Sequence, residues 1–376
     1  MFNQLVFDSN NSLKKLRLNV LKDNPKNILL FTGKKSFKSS GAQEKINEAL
    51  KDFSFFRYSD FNINPSHSDL IKCLNLLKGQ TFDYIISVGG GSVIDFAKLV
   101  NIGLHNNQVF TNFPNHINEI KKKGNKFIAI PTTSGSGTEA THFAVLYHNR
   151  KKFSISHEFL YPDIVYLDST LTYSINPYQT AISGIDAFCQ AIESYWSINS
   201  TEESLKYSLS SLKLILKFLP KAVNVNCKIS KKNMIYASYL AGKAINISKT
   251  TGAHALSYFL TSNYNIPHGQ AVALTIAEWY SYNIRNKEKL VDKRGLNYYN
   301  NKMNIMNSFF SNNDDKVSES IKKFIRKCNL STRLYDFNIE KKHLPELINN
   351  VNLQRLSNNP IAIDKKQILN ILNKSL

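Results

Sequence analysis

Across its 376 residues the sequence contains no apolar run approaching the roughly 18 residues of a membrane span, and Met1-Phe-Asn-Gln lacks the charged-then-apolar pattern of a signal peptide. A membrane partner is therefore not indicated, and a cytoplasmic location is expected. Cysteine is scarce. Cys73, Cys189, Cys227 and Cys328 stand far apart without a Cys-x-x-Cys pair, which argues against a disulfide framework or a zinc ribbon. Acidic residues are outnumbered, 28 against 48 Lys plus Arg, for a formal charge of +20. That balance would raise nucleic acid as a partner, but the lysines are scattered, often beside asparagine, as in Lys231-Lys-Asn233 and Asn300-Asn-Lys-Met-Asn304. No basic run is interleaved with regularly spaced aromatics, so no nucleic-acid partner is expected. Such a surface would also attract small phosphorylated molecules.

What is present is a chain that is 42% hydrophobic, long enough to bury a large core and to divide into two domains. From Asn27 strand-like and helix-like segments alternate. Strands are expected at Asn27–Thr32, Phe55–Ser59, Tyr84–Val88, Lys126–Ile130, Phe143–Tyr147, Lys152–Ser156 and Asp163–Leu167. Helices are expected from Ala42 to Phe53 and through Leu77 behind Ser66, which is suited to an N-cap. Past Asn176-Pro177 helical periodicity takes over, with helices near Gln179–Trp196, Glu202–Phe218, Lys232–Asn246, Gly269–Asn286 and Lys365–Leu372. The boundary is placed there, giving an α/β nucleotide-binding domain over 1–176 and an all-α domain over 177–376, with a cleft expected between them.

Two loops at strand ends have the chemistry of a phosphate site. Tyr84–Val88 runs into Gly89-Gly90-Gly91-Ser92-Val-Ile-Asp95 and then a helix; glycines let backbone approach an anion, and free N–H groups at a helix start donate to it. Lys126–Ile130 runs into Pro131-Thr132-Thr133-Ser-Gly-Ser136-Gly-Thr-Glu139, a second loop dense in hydroxyls. Such a pair could bracket one elongated ligand.

In the second half, Asp186 and Gln190 are one helical turn apart and project from one face. His254 and His268 follow later. A carboxylate, two imidazoles and an amide oxygen make a four-point cage for a divalent cation. Lys249, Thr250 and Thr251 precede His254, and Ser257 and Tyr258 follow it. An ammonium with hydroxyls is a receptor for a phosphonate or phosphate.

These pieces, in this order and with Pro267-His268-Gly269 and Asn359-Pro360, resemble the iron-containing (group III) alcohol dehydrogenase family over nearly the whole chain. The resemblance implies a dehydroquinate-synthase-like fold, a nicotinamide cofactor across the N-terminal sheet, and a divalent metal held by Asp186, His254 and His268. Fe2+ is the first candidate, with Zn2+, Mn2+ and Mg2+ as alternatives. Two departures stand out. Gln190, whose amide oxygen is a weaker donor than imidazole, replaces the usual histidine, so the ion would be held less tightly. Tyr258 replaces a second histidine often assigned a proton-relay role, which a phenol could also fill. Cys189-Gln-Ala-Ile-Glu-Ser-Tyr-Trp196 and Lys243-Ala-Ile-Asn-Ile-Ser-Lys-Thr-Thr251 further resemble the phosphonoacetaldehyde reductases.

The expected reaction is hydride transfer to a small anionic aldehyde, phosphonoacetaldehyde to 2-hydroxyethylphosphonate, with Lys249 positioning the anion and Tyr258 the proton. Reduction of an uncharged short-chain aldehyde, or cofactor binding without catalysis, stays open, as does a homodimer. NADPH is expected over NADH. Where many family members carry an aspartate after the first strand of the domain, this chain has Gly33, followed by Lys34, Lys35 and Ser36, which could hold a 2′-phosphate.

Overall fold

A computed structural model of the chain describes residues 4–115, 119–149, 151–311 and 313–376. The chain forms two compact units, Met1–Ile175 and Asn176–Leu376. The first contains β1 (Leu5–Asp8), α1 (Leu13–Asp23), β2 (Ile28–Thr32), α2 (Ser36–Ser39), α3 (Ala42–Ala49), β3 (Phe55–Tyr58), α4 (His67–Leu76), β4 (Tyr84–Gly89), α5 (Gly91–Gly103), α6 (Asn107–Thr111), β5 (Lys126–Pro131), β6 (Phe143–His148), β7 (Lys151–Ser156) and β8 (Ile164–Leu167).

Six of these strands form one parallel sheet in the order β1-β8-β5-β4-β2-β3, while β6 and β7 pair separately as an antiparallel hairpin. β2 and β4 are buried along their whole length, as strands covered on both faces must be, and so read as unbroken apolar runs. β4 pairs with β5 in a register that sets Gly89 opposite Pro131, so the two hydroxyl- and glycine-rich loops leave the sheet side by side. At α4, Ser66 caps as its chemistry suggests: its Oγ accepts from the Asp69 N–H at 3.1 Å, and Asp69 Oδ2 accepts from the Ser66 N–H at 3.0 Å.

Two features of this unit were not read from the sequence. β1 and α1 precede the first expected strand; β1 is four residues long and half-exposed, too short to show a period. The helix expected to reach Phe53 stops at Ala49.

The second unit is helical: α7 (Pro177–Trp196), α8 (Glu202–Asn224), α9 (Lys228–Ser248), α10 (Gly252–Tyr264), α11 (His268–Arg285), α12 (Leu296–Asn307), α13 (Asp314–Lys327), α14 (Leu344–Asn349), α15 (Leu353–Leu356) and α16 (Lys365–Lys374). Its core is built around α7, whose Phe188, Cys189, Ile192 and Trp196 are fully buried. α8 was expected to end at Phe218, before Pro220, yet it continues to Asn224. Proline removes one helical hydrogen bond, but Leu219, Ala222 and Val223 on the continuing turn are buried, and their burial outweighs that loss. Among the described residues no helix is long and apolar enough to cross a membrane.

Candidate active site

The second unit assembles its site from three helices. α7 begins at Pro177, whose fixed φ suits a first helical position, and Asn176 caps it by accepting from the Gln179 N–H at 2.7 Å. Asp186 and Gln190 lie in the middle of α7, 7% and 4% exposed. α11 starts at His268. The next residue has to be glycine, because a Cβ on Gly269 would stand 1.9 Å from the Ile182 carbonyl oxygen and 3.2 Å from the Asp186 Cβ. Without a side chain there, the start of α11 lies directly against the α7 backbone, and His268 is delivered to Asp186. His254 enters from the first turn of α10 and is buried.

The donor atoms of Asp186, His254 and His268 all lie within 4.8 Å of one another. Asp186 Oδ1 is 3.4 Å from His254 Nε2 and 4.0 Å from His268 Nε2. Asp186 Oδ1 and His254 Nε2 are buried and have no hydrogen-bond partner among the described residues. An unpaired buried polar atom costs about 1–3 kcal/mol, and a cation shared by both removes that cost. One carboxylate oxygen and two imidazole nitrogens suit a borderline divalent ion such as Fe2+ or Zn2+. The residues therefore fit the ion. Burial alone would push the His254 imidazole down, but the neighbouring Glu193 and Asp186 carboxylates outweigh it and raise the group from 6.5 to about 9.

Glu193 was not singled out in the sequence. It lies two turns beyond Asp186 on α7 and is fully buried. Its Oε1 accepts from the Thr251 hydroxyl and the Ala253 N–H, both at 2.8 Å, and from the Thr251 and His254 N–H groups, both at 3.3 Å. Its Oε2 meets His254 Nδ1. The only sequence signal was an acid on the apolar face of a helix that already carried a candidate ligand.

Lys249, at the end of α9, is half-buried and has φ +61° and ψ 176°. Nine described non-glycine residues have positive φ; eight are asparagine and the ninth is Lys249. That backbone region is nearly restricted to glycine, and a side chain there costs on the order of 1–3 kcal/mol. The turn is held from several sides: Ser248 Oγ donates to the Ser194 Oγ at 2.6 Å, Asn358 Nδ2 donates to the Thr250 carbonyl at 2.9 Å, and the Trp196 indole N–H donates to Thr251 Oγ1 at 2.8 Å. Lys243, by contrast, lies over the Tyr207 ring at 5.5 Å. Tyr258 is half-buried on α10 with its ring 6.3 Å from that of His268.

In the first unit the two loops pack together. A Cβ on Gly91 would stand 2.7 Å from Ser136 Oγ, and one on Gly90 3.4 Å from Thr133. Thr132 donates its N–H to the Gly89 carbonyl at 2.9 Å. Asp95 is buried within α5; it accepts from the Thr138 hydroxyl and, at 3.1 Å, from the Val145 N–H, so it ties the second loop to α5. Lys98, one turn on and also buried, donates to the Thr138, Thr141 and Phe143 carbonyls at 2.7, 2.7 and 2.8 Å. Burial pushes its ammonium down to about 8. The Ser92 hydroxyl accepts from the Asn64 N–H at 3.3 Å. At the end of β2, Gly33 is followed by Lys34, whose Nζ is 3.1 Å from Asp60, an acid that also pairs with Lys72 at 2.6 Å; Ser36 opens α2 and is exposed.

Comparison with known proteins matches residues 3–169 to Iron-containing alcohol dehydrogenase and residues 180–376 to Fe-containing alcohol dehydrogenase family, C-terminal. The chain belongs to the iron-containing alcohol dehydrogenase family and is an oxidoreductase of that class. It is 34% identical over 257 residues to Long-chain-alcohol dehydrogenase 1 of Geobacillus thermodenitrificans, a match covering 67% of this chain and 65% of that one. To the sulfoacetaldehyde reductase of Bilophila wadsworthia it is 28% identical over 340 residues, covering 88% and 87%. In fold it matches the crystal structure of sulfoacetaldehyde reductase from Bifidobacterium kashiwanohense in complex with NAD+, with a TM-score of 0.88, 24% identity, and coverage of 100% and 97%.

Proposed function

We propose that this protein reduces a small aldehyde bearing a tetrahedral oxyanion, phosphonoacetaldehyde first, to the corresponding alcohol, 2-hydroxyethylphosphonate, with NADPH as reductant. The observation that carries the anionic substrate is Lys249, kept in a strained backbone conformation five residues before the ligand His254. Strain of that kind persists where the surroundings hold it, and it tends to accompany function. Asp186, Gln190, His254 and His268 would hold the divalent ion, Fe2+ first. When bound, such an ion supplies Lewis-acid stabilisation of the charge that develops on the carbonyl oxygen, worth several kcal/mol. Lys249 and the Thr250 hydroxyl would fix the remote anion, the Thr251 hydroxyl expected beside them being taken by Glu193 and Trp196, and Tyr258 would relay the proton to the alcohol.

For the cofactor, the groups offered to a pyrophosphate are the Gly89-Gly90-Gly91-Ser92 loop at the start of α5 and Thr132, Thr133 and Ser136, with Asp95 holding the two loops together. The NADPH preference rests on Gly33, where an acid would repel a 2′-phosphate, and on Lys34 and Ser36 beside it. A cytoplasmic location, the absence of nucleic-acid and membrane partners, and an optional homodimer belong to the same reading.

A second reading, sulfoacetaldehyde as substrate, is favoured by the Bilophila relative named for it. Sulfonate and phosphonate share the tetrahedral oxyanion that Lys249 would recognise. The test is anaerobic reloading with Fe2+, followed by NADPH oxidation with phosphonoacetaldehyde, sulfoacetaldehyde, acetaldehyde and butyraldehyde. An anionic aldehyde should show the highest kcat/KM, and butyraldehyde leading the series would overturn the anionic reading. NADH serving as well as NADPH would remove the cofactor preference.

A further inference from the structure

We infer that Glu193 is a positioning residue that holds the ion ligand and the substrate-anion turn with one carboxylate. The inference rests on the ion reading above. The Oε2 atom faces His254 Nδ1, so when an ion takes the Nε2 position beside Asp186 Oδ1 the remaining ring proton is held on Nδ1 and the Nε2 lone pair is free for the ion. A hydrogen bond of this kind fixes both tautomer and ring orientation of a metal-binding histidine. The Oε1 atom meets three backbone N–H groups and one hydroxyl between Thr251 and His254, the free donors at the start of α10. A buried carboxylate at a helix start satisfies those donors and complements the helix dipole.

The turn that Oε1 grips follows directly on Lys249. Thr251 links it onward, because its hydroxyl both donates to Glu193 and accepts from the Trp196 indole at 2.8 Å. Side chains from two further directions support the same turn: Ser248 reaches Ser194, and Asn358 reaches the Thr250 carbonyl. A single acid on α7 therefore sets the ligand nitrogen and restrains the strained segment that presents Lys249. Neither end can shift without disturbing the hydrogen bonds of the other.

The test is Glu193→Gln with Glu193→Asp beside it. In the glutamine variant the amide oxygen can still accept from the α10 start. Its NH2 then faces His254 Nδ1, favouring the tautomer with the proton on Nε2 and removing the lone pair from the ion. Co2+ affinity, read from its visible absorption against a competing chelator, should fall about 10- to 100-fold. In the Zn2+-loaded protein the downfield Nδ1–H resonance of His254 should be lost. The aspartate variant keeps the charge and should recover part of both. In the loaded variants KM for the anionic aldehyde should rise more than KM for acetaldehyde. Glu193→Gln with wild-type Co2+ affinity and an intact Nδ1–H resonance would overturn the inference. If Glu193→Gln does not fold, the aspartate variant decides alone: wild-type affinity and resonance with the carboxylate drawn back by one methylene would overturn it. Wild-type protein that takes up no divalent ion would overturn the function proposed above instead, so the two failures are distinguishable.

Discussion

On the anionic-substrate reading proposed above, recognition and stability pull in opposite directions at Lys249. Its conformation is one that glycine adopts freely, so Lys249→Gly should relieve about 1–3 kcal/mol of strain and return roughly 0.5–1 kcal/mol through the greater freedom of glycine in the unfolded chain. A modest gain in the denaturation midpoint is expected. The same change removes a charge-assisted hydrogen bond, so KM for phosphonoacetaldehyde should rise roughly 10- to 100-fold while acetaldehyde is little affected. A variant that is both less stable and equally impaired on both aldehydes would show that Lys249 supports the fold and not the anion. A second expectation at this scale concerns protons. Because His254 is raised to about 9 without an ion, it keeps its proton below that pH, and an ion held as proposed above would have to displace it. Apparent ion affinity should therefore climb with pH up to about 9, with close to one proton released per ion at pH 7. Calorimetry in buffers of different ionisation enthalpy measures that number, and a value near zero would contradict it. That Asp186, His254 and His268 come together was expected chiefly from the family resemblance, since a single histidine in a helical segment is ordinarily structural. Glu193 was not expected, because nothing local separates a buried carboxylate from a surface one until the Thr251–His254 N–H groups, distant in sequence, are seen to meet it.

Single residues place whole elements here. Gly269 decides where α11 begins relative to α7, and the Cβ of alanine would have to displace a backbone carbonyl oxygen. Gly269→Ala should cost at least about 1–3 kcal/mol by overpacking and should move His268 away from Asp186, so stability and ion affinity fall together. Denaturation and Co2+ titration of the same preparation check this, and an alanine variant retaining wild-type affinity would mean that α11 is positioned by other contacts. Helix starts were readable from local capping side chains at Ser66 and at Asn176-Pro177, though not at Asn352, which caps the short α15. Helix ends were less so. Pro220 signals a stop, but Leu219 packs where a Cβ on Gly184 would lie 2.2 Å from its Cδ1, and that tertiary fit is invisible in a one-dimensional pattern. The hairpin β6-β7 shows the same limit: periodicity identified its strands, but their separation from the parallel sheet depends on partners that periodicity does not name.

For the whole molecule, the parallel sheet followed by helices was legible because buried parallel strands read as apolar runs and the period changes after Pro177. Net charge carries a separate consequence. A formal charge of +20 gives a positive potential that raises the local concentration of an anionic substrate whatever the local site contributes. Such long-range attraction is screened over about 8 Å at physiological ionic strength. With NADPH saturating, kcat/KM for phosphonoacetaldehyde should therefore fall several-fold as KCl is raised from about 0.02 to 0.5 M, while kcat/KM for acetaldehyde stays nearly flat. Lys249→Gly separates the field from the site: its kcat/KM should start lower yet keep most of the salt dependence, because only one of 48 basic residues has been removed. Equal salt responses for the charged and uncharged aldehydes would show that the charge acts on the enzyme itself. A salt response abolished by the single substitution would assign the whole effect to Lys249.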